Sequence, residues 1–195
     1  MPLARKALAA LALVTLACSP AVPNATVKTG NTLEAVQDAA TIVVVQPRTK
    51  YKSVSFVDGQ GRLLGQLDRR SHTLLRVPPG AVRLYAFWEN KAASGDRIEG
   101  TVLAGKIYFA TIGYRGTVGG IALLALNPRS PDRRWEEKDR YLSSTPRVQL
   151  DPARAAEVMQ RLGAAPEIFR WADEHTKDLT GRARDERVIL PGDGI

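Results

Sequence analysis

The 195-residue sequence has one cysteine, two histidines and two methionines, and only 6% of its residues are aromatic. A single cysteine excludes an intramolecular disulfide framework and any multi-cysteine zinc site. His72 and His175 alone leave little material for a histidine-based metal centre. Long hydrophobic runs are missing as well. The longest, residues 7–17, has eleven positions, against the ~20 that a membrane-spanning helix needs. Acidic residues are outnumbered, 20 to 28, which gives a formal charge of +8. What remains is 44% hydrophobic and 25% charged, the proportions of a foldable globular chain rather than of a disordered, collagenous or multi-span one. The length allows one domain of ordinary size plus an appendage.

The first eighteen residues carry a compartment signal. Arg5 and Lys6 form a short positive region, the apolar run 7–17 has the length of a signal-peptide core, and it ends in Thr15-Leu16-Ala17-Cys18. This arrangement resembles the lipobox of bacterial lipoproteins. There a small residue precedes a cysteine whose thiol accepts diacylglycerol; Thr15 stands where Leu is more usual. The resemblance implies removal of residues 1–17, lipidation of Cys18 and a mature chain of charge +6. An ordinary secretory signal fits the small residues equally, but a free thiol is a liability in an oxidising envelope and lipidation removes it. Two or more acyl chains give stable anchoring without a span. Ser19 follows where inner-membrane retention signals resemble Asp, which implies the outer membrane, facing the periplasm.

Composition divides the remainder. Residues 18–38, rich at first in Pro, Asn, Thr and Gly, are predicted to be a flexible tether. Residues 39–127 consist of short β-rich runs at 42–46, 53–57, 62–67, 73–77, 82–88, 98–103, 106–113 and 121–126. Turn signals separate them, among them Asp58-Gly59-Gln60-Gly61, Pro78-Pro79-Gly80 and Ala104-Gly105. Strands at such spacing predict a mainly β domain, an antiparallel β-sandwich. Alternation sets the faces. Val54 and Phe56 share one side, with Ser53 and Ser55 opposite. Val82, Leu84, Ala86 and Trp88 should face the core, leaving Arg83, Tyr85 and Phe87 outward, the two rings partly exposed to cover a neighbour or a partner. The run 121–126 is apolar on both faces, as a central strand or one covered by the C-terminal segment would be.

Three motifs in this block occur together. They are Val43-Val44-Val45-Gln46-Pro47-Arg48, Pro78-Pro79-Gly80-Ala81-Val82-Arg83-Leu84 and Ala104-Gly105-Lys106-Ile107-Tyr108-Phe109. Together they resemble an uncharacterised family of small bacterial lipoproteins carrying a domain of unknown function, over roughly residues 41–127. Phe109 and Gln46 depart from the family's aromatic positions. The resemblance implies a sandwich of the transthyretin or carboxypeptidase-regulatory sort, and it implies no catalytic residue.

Residues 128–150 are charged and read as a solvated connection, with Trp135 and Tyr141 pinning it to the domain. The stretch 151–195 is predicted to be a helical extension. Asp151-Pro152 opens a helix whose stripe is Ala155, Val158, Met159 and Leu162, stopped by Gly163. A second helix opens at Pro166 with Ile168, Phe169 and Ala172, so a hairpin docked on the sheets is expected, and residues 188–190 are a candidate last strand.

Candidate chemistry is sparse. The loop 59–65 has the wrong glycine spacing for a dinucleotide site and no following helix, so it reads as a hairpin turn. The glycines of 115–120 lack a P-loop ending. His175, beside Asp173 and Glu174, does not share a helix face with them, and His72 reads as an isolated surface residue. The sequence therefore predicts no enzyme, no cofactor and no metal. It predicts a non-catalytic binding or scaffolding lipoprotein of the cell envelope, held to the membrane through Cys18. An envelope protein or an anionic glycan would be its partner, the latter as a peptidoglycan or lipopolysaccharide binder working through scattered Arg and Lys. An envelope hydrolase is the distant alternative. Export removes the nucleic-acid reading of the positive charge. A basic face shared by Arg69 and Arg70 with Arg48, Lys50 and Lys52 would favour the polyanion.

Overall fold

The computed structural model describes residues 25–30, 32–47, 53–88, 95–114, 120–162 and 166–195, with 161, 162 and 166–168 described by their backbone only. Cys18, the signal run, Arg48, Lys50, Lys52, Gly163 and the glycines of 115–119 lie outside the described residues. The chain is mainly β. Each of the eight sequence-predicted runs is a strand: β2 (Ala40–Gln46), β3 (Ser53–Asp58), β4 (Leu63–Asp68), β5 (Ser71–Val77), β6 (Gly80–Trp88), β7 (Asp96–Val102), β8 (Ile107–Tyr114) and β9 (Ile121–Leu126). Three short strands join them: β1 (Thr26–Thr29), β10 (Arg147–Leu150) and β11 (Val188–Ile189). One sheet has the order β1-β10-β5-β2-β8-β9, the other β11-β7-β6-β3-β4.

The sheets are mixed, not purely antiparallel as expected. The pairs β2–β8, β5–β10 and β7–β11 are parallel. The turns between β2 and β8 reverse the chain at each step, so alternate strands run the same way. The excursion of β3–β4 and β6–β7 into the second sheet brings β8 back beside β2, six reversals later. One end of both sheets therefore carries the β3–β4, β5–β6 and β7–β8 turns and the C-terminal residues. The opposite end carries the connection from β2 to β3 and the Arg69–Arg70 turn.

Inward side chains of both sheets form one core. Ile42, Val44, Leu75, Tyr108, Ile112 and Leu123 from the first sheet meet Val54, Phe56, Leu67, Leu84, Ala86 and Ile98 from the second. The outward faces are buried too, and that organises the rest of the molecule. Helices α1 (Arg133–Glu136) and α2 (Lys138–Ser144) lay Trp135, Tyr141 and Leu142 over Val43, Val45, Phe109 and Leu126. Asp132 starts α1 by accepting the Arg134 and Trp135 amides, satisfying two otherwise orphaned donors. The stretch 128–150, read as a connection, thus becomes two helices and a strand, with Trp135 and Tyr141 pinning it to the first sheet as expected.

On the other sheet, α3 (Pro152–Leu162) and α4 (Pro166–Thr176) bring Val158, Met159, Phe169 and Ala172 onto Val57, Tyr85 and Phe87. The rings expected to be partly exposed are therefore buried, at 2% for Tyr85 and 1% for Phe87; their cover is the chain's own helical extension. Phe169 meets Tyr85 edge-on at 4.5 Å, and the Tyr85 hydroxyl donates to Asp173 at 3.0 Å. Arg97 adds bonds to Asp173 and to Thr176, both 2.7 Å. Ala25 completes this layer. Its amide is held by Gln66 Oε1 at 2.9 Å, and Gln66 Nε2 donates to Ser55 at 3.0 Å.

Residues 186–195 form a strap across the open side between the sheets. After α5 (Gly181–Asp185), β11 adds to the edge of β7. The Glu186 carbonyl accepts the Ala125 amide at 2.8 Å, and Ile195 exchanges two backbone bonds with Ile107, each 3.1 Å. The run 121–126 is thus the edge strand β9, its edge bonded by the C-terminal segment, its inward face in the core with Ile121, Leu123 and Ala125 and its outward Leu126 under α1 and α2. No helix among the described residues is long and apolar enough to cross a membrane.

Candidate functional site

Helix α4 covers Tyr85 and Phe87 but stops short of the first residues of β6. There, at the strand end where core-side Val82 and Leu64 meet Ala81 and Arg83 of the opposite face, lies a trough of about 690 Å³. Its floor is apolar, made by Pro78, Ala81, Val82 and Val188; its rim is charged, with Arg62, Arg83 and Arg184 facing Asp58 and Glu99. The β3–β4 turn supplies one wall. Asp58 holds that turn by accepting the amides of Gln60 and Arg62, each at 2.9 Å, and the Arg62 guanidinium at 2.6 Å. Burial alone would raise the Asp58 carboxyl, but the Arg62 and Gln60 hydrogen bonds outweigh it and hold the group below the usual carboxylate range. Across the trough Glu99 lies between Arg83 at 3.5 Å and Arg97 at 3.6 Å. Arg184 has no carboxylate partner among the described residues. A second pocket of about 240 Å³ opens on the other side of Arg184 and Val188 and adds Lys177 and Arg187.

Both rim carboxylates are engaged by arginines, and no serine, cysteine or histidine lines the trough. No family model matches the chain, and no curated protein is significantly similar to it. The site therefore has to be read from its own chemistry, which is an apolar strip flanked by guanidinium groups.

Sequence reasoning placed Arg83 outward by alternation and counted Arg62 among the scattered cations. It did not see that α5 brings Arg184 to the same rim, nor that Glu99 belongs there with Arg97 behind it. Those encounters are long-range and leave no local pattern. Arg69 and Arg70 are exposed at the opposite end of the sheets, beside Gln46 and Ser53, the strand ends that flank Arg48, Lys50 and Lys52.

The remaining candidates resolve differently. His175 stacks on Trp171 with ring centroids 3.7 Å apart, while Asp173 turns away to Arg97 and Tyr85. The loop 59–65 is a hairpin turn, as its spacing suggested. A pocket of about 230 Å³ near α1 is filled with matched charge, because Arg134 and Arg182 both reach Asp132 and Glu186.

His72 needs a correction. It is not a surface residue but 1% exposed in β5, because β10 and the 145–146 segment cover it. Its Nδ1 lies 3.0 Å from Thr145 Oγ1. Burial lowers its pKa from about 6.5, and the nearby Arg147 charge lowers it further. The imidazole is therefore neutral in the fold. Above pH 6.5 neither state holds the proton; below it the unfolded chain takes up a proton that the folded chain resists. Stability is thus expected to fall as pH drops through 6.5, by at most about 1.4 kcal/mol per pH unit for this group. The check is urea unfolding of the protein and of His72→Gln between pH 7.5 and roughly 4.5. The variant should show a flatter profile, and identical profiles would refute the assignment.

Proposed function

We propose that this protein is a lipid-anchored lipoprotein of the bacterial cell envelope, attached through Cys18 at the outer membrane and facing the periplasm. It works as a non-catalytic binding or scaffolding module built on a β-sandwich of the transthyretin or carboxypeptidase-regulatory kind, as its resemblance to the small-lipoprotein family implies. The observation that carries the binding role is the trough. Both outward sheet faces are occupied by the chain's own helices, and the arginine-rimmed strip is a concave surface they leave open for a partner. The anchor reading is supported by the Thr15-Leu16-Ala17-Cys18 signal and by the solitary state of the cysteine.

A second reading, contact with an anionic glycan such as peptidoglycan or lipopolysaccharide, is favoured by one feature. Three guanidinium groups stand around a trough that holds only two carboxylates. One experiment addresses both readings. Cells expressing the wild-type chain or Cys18→Ala are labelled with palmitate, and the wild-type protein is used as bait on solubilised envelopes. The wild-type chain is expected to take up label, and Cys18→Ala to take up none and to remain an unprocessed precursor. Label retained by Cys18→Ala would remove the anchor from the proposal. One envelope protein surviving a high-salt wash supports the binding module. Glycan or lipopolysaccharide held only at low salt supports the polyanion reading, since exposed charge contacts are screened by salt.

A further inference from the structure

Ala25, 1% exposed, is already fixed in the layer over the second sheet. If Cys18 carries lipid, the six residues 19–24 are all that separates it from this fixed point. Seven Cα steps reach about 25 Å at full extension. The tether predicted for 18–38 is shortened by β1, and the folded body must sit close against the bilayer.

Topology decides which end lies nearest. β1 is antiparallel to β10, and β10 is parallel to β5. The first residue of β1 therefore lies toward the end where β5 finishes at Val77, the end bearing Pro78 and the β7–β8 turn. That end is apolar. Leu103, Leu190 and Ile195, exposed to 45%, 37% and 61%, occur there with exposed Pro78 and Pro79. They are held side by side: the Leu103 amide donates to the Tyr108 hydroxyl, which donates to the Pro191 carbonyl, and Gly80 pairs with Val102. Cations flank the patch. Arg76, Lys106 and Arg184 have no carboxylate partner among the described residues. Of the nearby acids, Asp58 is engaged by Arg62, Glu99 by Arg83 and buried Asp193 by Arg129, and the terminal carboxyl of Ile195 accepts the Ile107 amide.

We propose that this end of the molecule is a second membrane contact. Leu103, Ile195 and the Pro78–Pro79 turn seat at the headgroup boundary of an anionic phospholipid bilayer, and the flanking cations meet its phosphates. The inference rests on the Cys18 anchor and goes beyond it. An acyl anchor holds the patch at high local concentration, and an apolar surface with basic flanks is the form that interfacial binding takes.

The test uses the full lipidated chain in vesicles of phosphatidylethanolamine and phosphatidylglycerol. Leu103→Cys and, separately, Arg69→Cys receive a polarity-sensitive dye; a thioether at Cys18 does not react. The dye at 103 is expected to shift to the blue and to be quenched several-fold more strongly by nitroxide-bearing lipids than the dye at 69. Adding Ile195→Glu to the 103 variant should reduce that quenching. Intact mass separates the two ways of failing. A lipid-bearing chain whose dye at 103 stays in water as fully as that at 69 overturns the membrane contact alone. A chain without lipid overturns the anchor and the contact together.

Discussion

Asp96→Ala is expected to lower the free energy of unfolding by about 3–5 kcal/mol, the usual cost of stranding one member of a buried ion pair. Asp96 opens β7 and is fully buried. One carboxylate oxygen accepts the Leu123 amide of β9 at 2.8 Å, and the same oxygen faces Arg187 Nε at 2.9 Å. The residue thus ties the edge of one sheet to the edge of the other and to the strap. Its removal takes the Asp96 counter-charge from the Arg187 guanidinium, 12% exposed, and the acceptor from an edge amide. Against a total stability of roughly 5–15 kcal/mol for a domain, this is a large fraction. Chemical denaturation measures it directly. Replacing both partners with apolar residues, Asp96→Leu with Arg187→Met, should recover part of the loss, because no lone charge then stays buried. A loss below about 1 kcal/mol for Asp96→Ala, the range of surface pairs, would show that the pair is not an interior one.

Gly100→Ala is expected to release the C-terminal strap. Gly100 pairs with Ile189, and a Cβ at this position would lie 1.9 Å from the Ile189 carbonyl oxygen. Its φ of +154° adds strain for any other residue. Neither backbone can yield while β11 stays paired, so the strand must leave. The expected cost is about 3 kcal/mol or more, in the class of severe backbone substitutions. Hydrogen exchange gives the sharper readout. Protection of the Ala125 and Ile107 amides, which bond to Glu186 and Ile195, should fall together, while that of Val44 in the central strand stays high. Detaching the strap also withdraws Arg187 from Asp96. The Gly100 and Asp96 substitutions should therefore combine to less than the sum of their separate effects. Full additivity would place the strap outside the Asp96 network.

How much of this was legible follows from range. The alternation in 53–57 and 82–88 fixed which side chains point inward, and Pro, Asp and Gly at 58–61, 78–80 and 104–105 fixed the turns, because each signal lies within a few residues. Strands β1 and β10 were hidden. Each has four residues, Thr-Val-Lys-Thr and Arg-Val-Gln-Leu; β1 is a strand only because β10 lies beside it, and β10 because it lies between β1 and β5. Helices α1 and α2 were masked by their charge, since the seven-residue α2 buries only a narrow stripe. His72 read as solvated because nothing near it in sequence reveals that residues 145–148 lie over it. The rim of the trough failed for the same reason: Arg62, Arg83 and Arg184 come from three separate parts of the chain.

The dispersed pairing has a consequence for how the molecule is made. The first sheet draws its neighbours from residues 26–29, 147–150, 71–77, 40–46, 107–114 and 121–126 in that spatial order, so much of its pairing joins segments far apart in the chain. Architectures of high contact order fold slowly. If the chain crosses a membrane from its N-terminus, as the proposed anchor requires, it meets this in its strictest form. β1 cannot find its partner until residue 150 has emerged, and the edges of β7 and β9 stay uncapped until residues 186–195 follow. Throughout that interval two strand edges and the apolar outward faces are open to other chains, which makes emergence of the chain, rather than the finished fold, the period of greatest aggregation hazard.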